Sequence, residues 1–439
     1  MIQQTIFPFK LNVTREGLTA YGGLALMAEF NHGIGLRELT DRYLPKPRSN
    51  RGYNPSVFVD AIILMLEGGG RSLEDIRELA YESSLMRIIG REEVPGADAI
   101  GDWLRRMGEK ERKGLEGLDK VREEINNRIM KGDGIKEYTL DVDATEIIAE
   151  KESASFTYKG NKGYMPNLGF LYENNICLYD EFREGNVSPG YGQAGFYIEC
   201  KKRMPRGKRI GYYRADSASY QAELINELEG DGVKWAITAD QDSSVKAEIA
   251  SIGKDGWKEP VEGCGYEVAE TVHSMNKTNK AFRLVIKRAK REQGELFRRA
   301  GGYYIYHVIA TNWGIEEKDS EQVIAWHNQR GEAENFNKEL KNGLGMERMP
   351  CGQSEANGVF FRIGVLAYNL FVGFKRLTCP RLWIQHTIGT IRWKFVHVAG
   401  HIVRHAGKVI LKLAVDIEKL ELFKGIRWRT YEICLSVNG

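Results

Sequence analysis

The sequence predicts an α/β protein with a strand-rich core, a β-rich insertion, and helical N-terminal and C-terminal regions. Three observations support this fold class. Apolar residues recur at helical spacing through residues 1–130, the pattern changes to the alternation of strands near Tyr138, and helical spacing returns near Ser320. A chain of 439 residues has room for two or three domains with a substantial buried core.

The N-terminal region is predicted to be almost wholly helical. Amphipathic patterns cover residues 17–29, 36–43, 55–67, 72–81 and 100–118. Pro55 and Ser72 are residue types that favour helix starts, and the glycines at 68–70 separate two of the helices. We expect most residues of this region to serve core packing.

Strands dominate after Tyr138, and the predicted elements follow one another in a recognisable order. They are strands at 138–145, 169–172 and 176–182, a helix at 192–203, a strand at 209–216, a helix at 219–229 and a strand at 233–238. This order matches a ribonuclease H-like sheet. Further strand-like runs predict the β-rich insertion, at residues 266–272, 282–288 and 303–311.

Acidic residues lie at the ends of two predicted strands. Apolar residues alternate with Asp141 and Asp143 in the segment YTLDVDAT, and Asp216 ends a β-rich run just before a turn. Open α/β sheets bind ligands at the carboxyl ends of their strands. Asp216 could instead cap the next helix, and the other two aspartates could be ordinary exposed strand residues.

The segment after Ser320 carries a polar stripe. On one continuous helix, His327, Arg330, Glu334 and Lys341 would lie within about 60° of one another, apart from the apolar stripe that would face a core. A solvated face with an Arg–Glu pair at i,i+4 would look the same. Together with the upstream aspartates, the stripe indicates a site that holds phosphate and metal.

Charge, cysteines and apolar runs narrow the class of protein. Net charge is only +3, but nine Lys or Arg residues occupy 277–299 against two acids, and a second basic cluster covers 201–209. Such clusters suit a phosphate backbone, although most charge runs are solvated faces. The six cysteines are scattered, which predicts neither a zinc site nor disulfides and fits a reducing cytosol. Neither a signal peptide nor a membrane span is expected.

These motifs resemble those of the DDE transposases of bacterial insertion sequences. Arg330, Glu334 and Lys341 match one for one the Tyr-x2-Arg-x3-Glu-x6-Lys signature of one branch, with His327 in place of the tyrosine. The phrases DVDAT and RADSA resemble the two aspartate motifs. Further phrases, among them GNVSPG and YKGNKGYMPNLGF, resemble the insertion-sequence thirteen-eighty-like group over nearly the whole chain.

The resemblance implies both catalytic and DNA-binding residues. Asp143, Asp216 and Glu334 would be the catalytic acids and would bind two Mg²⁺ ions, with Mn²⁺ as a substitute; Asp141 is the alternative to Asp143. Metal ions bridged by carboxylates activate a nucleophile and stabilise the leaving oxyanion. The resemblance also implies DNA contacts by Arg330, Lys341 and His327, of which Arg330 and Lys341 would hold phosphates near the scissile bond.

Aromatic residues of the predicted insertion form a secondary candidate site. Relatives that pass through a DNA hairpin stack an aromatic on a flipped base, and stacking is worth about 1–3 kcal/mol per base. Tyr306 and Trp313 are the candidates for this DNA contact, with Tyr304 and Trp257 as further choices. Cross-strand packing is the alternative role.

The implied protein is a cytoplasmic bacterial transposase that acts at the nucleoid. It would bind double-stranded DNA at the inverted repeats of its element, cut the ends and join them to target DNA, as a homodimer in the synaptic complex and away from membranes. The alternatives are a nuclease without strand transfer and a non-catalytic DNA-binding relic. The expected domains are a DNA-binding region (1–130), a core in two parts (131–239 and 319–375), the insertion (240–318) and a helical C-terminal region (376–439). Within the last, His397, His401 and His405 are expected on a basic or amphipathic helix rather than as metal ligands.

Overall fold

The computed structural model describes residues 11–14, 16–47, 52–91, 93–290 and 304–438. Its N-terminal part is helical, as predicted, apart from a two-residue strand. Pro55 occupies the first turn of its helix, and the left-handed Gly69 (φ 112°) ends that helix. The elements are β1 (Leu18–Thr19), α1 (Leu24–Gly33), α2 (Leu36–Tyr43), α3 (Pro55–Gly68), α4 (Ile76–Tyr81), α5 (Ser83–Ile88), α6 (Ala97–Gly108) and α7 (Gly114–Met130).

The core sheet follows the predicted order of elements. Strand β2 lies between an antiparallel hairpin on one side and two parallel strands on the other, which is the ribonuclease H-like arrangement that the sequence predicts. Its elements are β2 (Glu137–Ala144), β6 (Asn167–Leu171), β7 (Ile176–Glu181), α8 (Gln193–Lys202), β8 (Arg209–Ala215), α9 (Ala222–Gly230), β9 (Lys234–Thr238) and α10 (Ser243–Ser251). A small separate sheet consists of β3 (Ile147–Ile148), β4 (Ser155–Phe156) and β5 (Lys162–Tyr164).

The strands of the predicted insertion extend the core sheet. They are β10 (Tyr266–His273), β11 (Phe282–Lys290) and β12 (Tyr304–Thr311), and β12 pairs antiparallel with β9 through Ile309 opposite Thr238. The result is one eight-stranded sheet in the order β10-β11-β12-β9-β8-β2-β6-β7. Because β12 runs antiparallel to β9, the first residues of β12 lie beside the carboxyl ends of β2, β8 and β9.

The polar stripe does not lie on one continuous helix, so that expectation is wrong. Helix α11 (Ser320–Asn328) ends before Arg330, α12 (Gly331–Lys338) begins after it, and the π-helical turn Glu339–Gly343 follows. Asp319 and Gln322 form a capping box that fixes the start of α11. The break and the π turn change the angular spacing that a uniform helix would impose.

The long helix α13 (Ser354–Thr378) joins the helical part to the sheet. Its length and hydropathy would suit a membrane span, but the apolar window is completely buried within the protein, as in a core helix. Buried ions tie it to the sheet: Arg362 Nε lies 3.3 Å from both carboxylate oxygens of Asp180, which Arg122 of α7 also contacts. Removing one member of such a buried group is costly because the remaining charge loses its partner.

The C-terminal region is not wholly helical, which corrects the prediction. Helix α14 (Ile388–Ile391) is followed by a β-hairpin, β13 (Gly400–His405) and β14 (Lys408–Leu413), and by α15 (Ile417–Asn438). Strand β13 also pairs with β1, so long-range pairing overrides the helical spacing of this segment. His401 and His405 therefore lie on a strand, and His397 precedes it.

Candidate active site

Two aspartates lie side by side at the carboxyl ends of two central strands of the core sheet. Asp143 is near the end of β2, and Asp216 follows the last residue of β8. These strands are parallel neighbours, with Val142 opposite Ala215, so both carboxylates are at carboxyl ends. One oxygen of Asp216 accepts a hydrogen bond of 3.0 Å from the backbone N–H of Ala218. Asp216 therefore caps a turn, as its alternative role required, and also lies beside Asp143.

Asp143 is partly neutralised by its neighbours. Asn337 Nδ2 donates to Asp143 Oδ2 at 2.6 Å, and Arg330 Nη1 lies 3.6 Å from Asp143 Oδ1. Burial, together with the negative charges of Asp216 and Glu334, raises the pKa of Asp143 to about 6. The site therefore concentrates negative charge that the two protein donors do not fully balance.

Asp141 has a different environment from Asp143, although the two share a strand. Its carboxylate is fully buried and accepts two bonds from Arg214, at 2.7 and 2.8 Å. Burial raises the pKa of Asp141 to about 6, against the attraction of Arg214. A carboxylate held in this way by a buried guanidinium group is committed to a structural pair.

The break between α11 and α12 lies directly over the aspartates. Arg330 is at the break, with its guanidinium group 3.6 Å from Asp143 and 3.9 Å from Glu334. The Glu334 side chain is 56% exposed, whereas those of Asp143 and Arg330 are 18% exposed. The structure thus brings Arg330 between two carboxylates and leaves Glu334 open to solvent.

Lys341, on the π-helical turn, extends to the same end of the sheet. Its ammonium group donates to the Glu146 carbonyl at 2.6 Å and to Thr145 Oγ1 at 3.3 Å. Burial lowers the pKa of Lys341, opposed by the carboxylates of Glu146, Glu347 and Asp143. A half-buried lysine beside the end of β2 is a point charge that could meet a phosphate.

His327 does not face the open side of the site, which contradicts its predicted DNA contact. The side chain is buried, and Nε2 lies 3.2 Å from both the Ala215 carbonyl and Thr238 Oγ1. Burial lowers the pKa of His327 to about 3, so the ring is neutral at physiological pH. The residue packs α11 onto the ends of β8 and β9.

The two aromatic candidates lie at opposite ends of the strands. Tyr306 is near the start of β12, at the end of the sheet that holds Asp143, and its ring packs against those of Trp257 and Tyr304. Trp313 follows the end of β12, at the opposite end of the sheet, and is stacked on Tyr212 with ring centroids 6.0 Å apart. The strand register therefore places Trp313 away from Asp143, at the other end of the strands, which does not favour its predicted stacking on DNA.

The second basic cluster is largely neutralised within the chain. Acidic partners contact Lys201, Lys202, Arg203, Lys208 and Arg209. In the first cluster, Arg283 pairs with Glu270 and Arg288 with Glu267, while residues 291–299 lie outside the described residues. Some of these pairs are exposed and others involve largely buried side chains, so most of these charges are already engaged within the chain.

A groove of about 770 Å³ opens beside Asp216. Two phrases of the sequence meet there: the loop 185–190 (GNVSPG) forms one wall, and Phe156 and Tyr158, at and after β4, contribute exposed rings. The groove gives an extended ligand access to the end of β8 and to Asp240, which also lines it.

The donor chemistry suits a hard divalent cation such as Mg²⁺. Asp143 and Asp216 offer carboxylate oxygens, and Asn337 Oδ1 is buried without a hydrogen-bond partner in the described part of the chain. Within the same described residues, no three His, Cys, Asp or Glu side chains are grouped closely enough to hold a metal. Two carboxylates therefore converge, and Glu334 stands apart from them beyond Arg330.

Sequence reasoning missed two residues of this site. Asn337 lies seven residues after Arg330 and three after Glu334, so helical spacing alone could have placed it on the same face. Arg214 lies two residues before Asp216, but no local pattern shows that its partner is Asp141 on the neighbouring strand. Only the register of β2 and β8 reveals that pairing.

Comparison with known proteins gives a family match over almost the entire chain. A family model described as transposase DDE domain, group 1, matches residues 7–429, which include every site residue above. The chain is also similar to a solved structure described as a cryo-EM structure of piggyBac transposase synaptic complex with hairpin DNA, at 11% identity and a TM-score of 0.43. That similarity covers 97% of this chain and 83% of the other. No curated protein sequence matches.

Proposed function

The chain belongs to the transposase DDE domain family, and we propose that it cuts DNA at the ends of its own element and joins them to target DNA. The observation that carries this proposal is that Asp143, Asp216 and Arg330 lie close together at the carboxyl ends of β2 and β8, with Glu334 beside Arg330. The spacing from Arg330 to Lys341 further supports membership of the insertion-sequence thirteen-eighty-like branch.

Asp143, Asp216 and Glu334 are proposed to hold Mg²⁺, or Mn²⁺ in its place. Two such ions, when bound, activate a nucleophile and stabilise the departing oxyanion of a phosphodiester. The negative charges of Asp216 beside Asp143 and of Glu334 beyond Arg330 support this assignment, because a divalent cation relieves repulsion that Arg330 and Asn337 balance only in part. The buried pair of Asp141 with Arg214 supports the choice of Asp143 over Asp141 for the proposed set.

The remaining side chains are proposed to bind and orient the DNA. The guanidinium group of Arg330 can reorient from the carboxylates to a phosphate, and Lys341 supplies a second positive charge at the end of β2. Asn337 keeps Asp143 oriented through its 2.6 Å bond. The groove beside Asp216 is the proposed path of the strand that carries the scissile phosphate, and Tyr306 is the proposed stacking residue.

The proposed partners are double-stranded DNA at the inverted repeats and at the target. Two ends must be held together for transposition, so we propose that a homodimer acts in the synaptic complex, in the bacterial cytoplasm at the nucleoid. The helical region 1–130 is the proposed site of end binding.

Strand transfer separates this function from simple hydrolysis. The protein would be mixed with Mg²⁺, a labelled pre-cut duplex ending at the inverted repeat, and a circular target plasmid. We expect label joined to the plasmid, and none with Asp143→Asn. Hydrolysis of intact end DNA without any joined product would instead make the protein a nuclease, and binding without either reaction would make it a DNA-binding relic.

A further inference from the structure

Helix α15 has two apolar faces, whose centres lie roughly 130° apart around the helix. Phe423, Ile426 and Thr430 are buried where the helix packs on α1 and α13. Arg427 anchors the same helix to Glu29 of α1 through two bonds of 2.7 Å. A second set of apolar residues lies exposed on the other side: Ile417, Leu420, Trp428, Tyr431 and Leu435.

The exposed residues form one narrow stripe, which we call the α15 seam. With Lys424, they follow one another at steps of three, four, four, three and four residues and lie within about 80° of one another around the helix. Trp428 is 63% exposed and Ile417 is 79% exposed. Scattered exposed apolar residues are ordinary, but five of them aligned with Lys424 in one stripe away from the buried face mark an interaction surface.

The charges around the seam indicate which partner it fits. Glu421 and Glu432 flank the seam on one side and Arg427 flanks it on the other; Lys424 within the seam pairs with Glu421 at 2.7 Å, and Arg427 pairs with Glu29. Because both cations are paired within the chain, the seam offers little positive charge to the phosphates of DNA or of anionic lipid headgroups. The seam therefore suits an apolar protein surface.

We propose that the α15 seam binds a second copy of this chain, with the two helices antiparallel. The seam is self-complementary in that direction, because a centre at residue 426 places Ile417 opposite Leu435 and Lys424 opposite Trp428 of the second copy. Lys424 then lies over an indole ring, a favourable cation–π contact. In a parallel pair, Lys424 would face Lys424, and the like charges would repel.

The size of the seam is compatible with such a pair. The exposed fractions of the five apolar residues amount to roughly 600 Å² per copy, so a two-fold pair that covered them completely would bury about 1,200 Å² from these residues, the lower limit of a specific interface. The two-fold axis makes the contact isologous and closed, so association stops at the dimer. This gives a location to the homodimer of the proposed function but does not depend on the chemistry of the site.

The test is sedimentation equilibrium of the full chain without DNA, over a concentration series. The wild type should form a dimer, and Leu435→Glu and Trp428→Glu should each raise the dimer Kd by roughly 30-fold or more, as expected when a buried anchor is lost. Leu382→Glu is the matched control, because Leu382 is 86% exposed and lies outside the seam. It should leave the Kd unchanged, and at concentrations well below the wild-type Kd, where every protein is monomeric, all three variants should melt at the wild-type temperature.

Two further variants test the orientation and the independence of the interface. Lys424→Glu should weaken the antiparallel pair by placing a carboxylate over Trp428, whereas a parallel pair would only exchange one like-charge contact for another. Asp143→Asn should dimerise like the wild type even though its DNA chemistry fails. A wild type that stays monomeric, a dimer that survives Leu435→Glu and Trp428→Glu, or an unchanged Kd for Lys424→Glu would overturn the proposal.

Discussion

Arg214 holds Asp141 through two charge-assisted bonds, of 2.7 and 2.8 Å, and both side chains are completely buried. The same guanidinium group donates to the Trp326 carbonyl at 2.8 Å and to Gln329 Oε1 at 3.1 Å. The pair thus joins β2, β8 and the end of α11, just before Arg330. Asp141 supports the frame of the site, while Asp143 faces the chemistry.

The two aspartates of β2 should therefore respond differently to the same substitution. Asp141→Asn leaves Arg214 buried with one charged partner fewer and should cost about 3–5 kcal/mol of unfolding free energy. Asp143→Asn should abolish DNA cleavage without lowering stability, because burial and neighbouring carboxylates already disfavour its charge. Urea unfolding at pH 7 and a cleavage assay measure both effects. A stable, inactive Asp141→Asn with an active Asp143→Asn would reverse the assignment.

Arg330 should be needed for its shape as well as its charge. Arg330→Lys keeps a cation near Asp143 and Glu334 but loses the planar guanidinium group that can donate two hydrogen bonds to a phosphate. The rate of single-turnover cleavage should therefore fall about 10- to 100-fold. Arg77→Lys is the control, since Arg77 makes an exposed i,i+3 pair with Glu74. Wild-type cleavage by Arg330→Lys would show that Arg330 acts only as a positive charge.

Trp313 and Tyr306 should separate stability from DNA binding. Trp313→Ala removes a ring stacked on Tyr212 and packed against Trp326, so unfolding free energy should fall by about 3 kcal/mol with DNA affinity unchanged. Tyr306→Ala should weaken binding to end DNA by about 1–3 kcal/mol, the worth of one stacked base. Chemical unfolding and fluorescence anisotropy distinguish the two. A loss of DNA affinity in Trp313→Ala alone would contradict the assignment of Tyr306, rather than Trp313, to the DNA-binding end of the sheet.

Glu67 should make the protein less stable as pH rises. Its fully buried carboxyl accepts bonds of 3.1 and 3.2 Å from Asn31, and burial raises its pKa from 4.5 to about 8. Between these two pH values the unfolded chain loses the proton while the folded chain keeps it, so folding becomes less favourable with each step of pH.

Glu67→Gln removes this titration. The variant should match the wild type near pH 4 and be more stable by about 3–5 kcal/mol at pH 8 and above. Urea unfolding at several pH values measures the difference. Equal pH dependence in the two proteins would mean that Glu67 is ionised in the folded state.

Local patterns predicted the elements that carry the aspartates. Strand alternation and the turn after Ala215 were enough to place Asp143 and Asp216 at strand ends, and the strand order implied that β2 and β8 are neighbours. Helical spacing also brought Arg330 and Glu334 to one face, which the 3.9 Å contact between them confirms.

Long-range contacts decided what the sequence could not reveal. Just before the break at Arg330, Arg214 donates hydrogen bonds to Trp326 and Gln329, a contact between residues more than a hundred positions apart. His327 looks like a surface residue by spacing, but its environment is set by the ends of β8 and β9. Strand β13 forms in a helix-like segment because β1 and β14 pair with it on its two sides.

Cleavage by the wild type and Glu334→Gln is the most direct test of the proposed active site. Each protein would be incubated with Mg²⁺ and a labelled duplex that spans the end of its own element, beside Glu332→Gln, which changes an exposed glutamate two residues away. We predict a cut at the repeat boundary by the wild type and by Glu332→Gln, and none by Glu334→Gln. Cutting by Glu334→Gln at the wild-type rate would contradict the assignment of Asp143, Asp216 and Glu334 as one catalytic set.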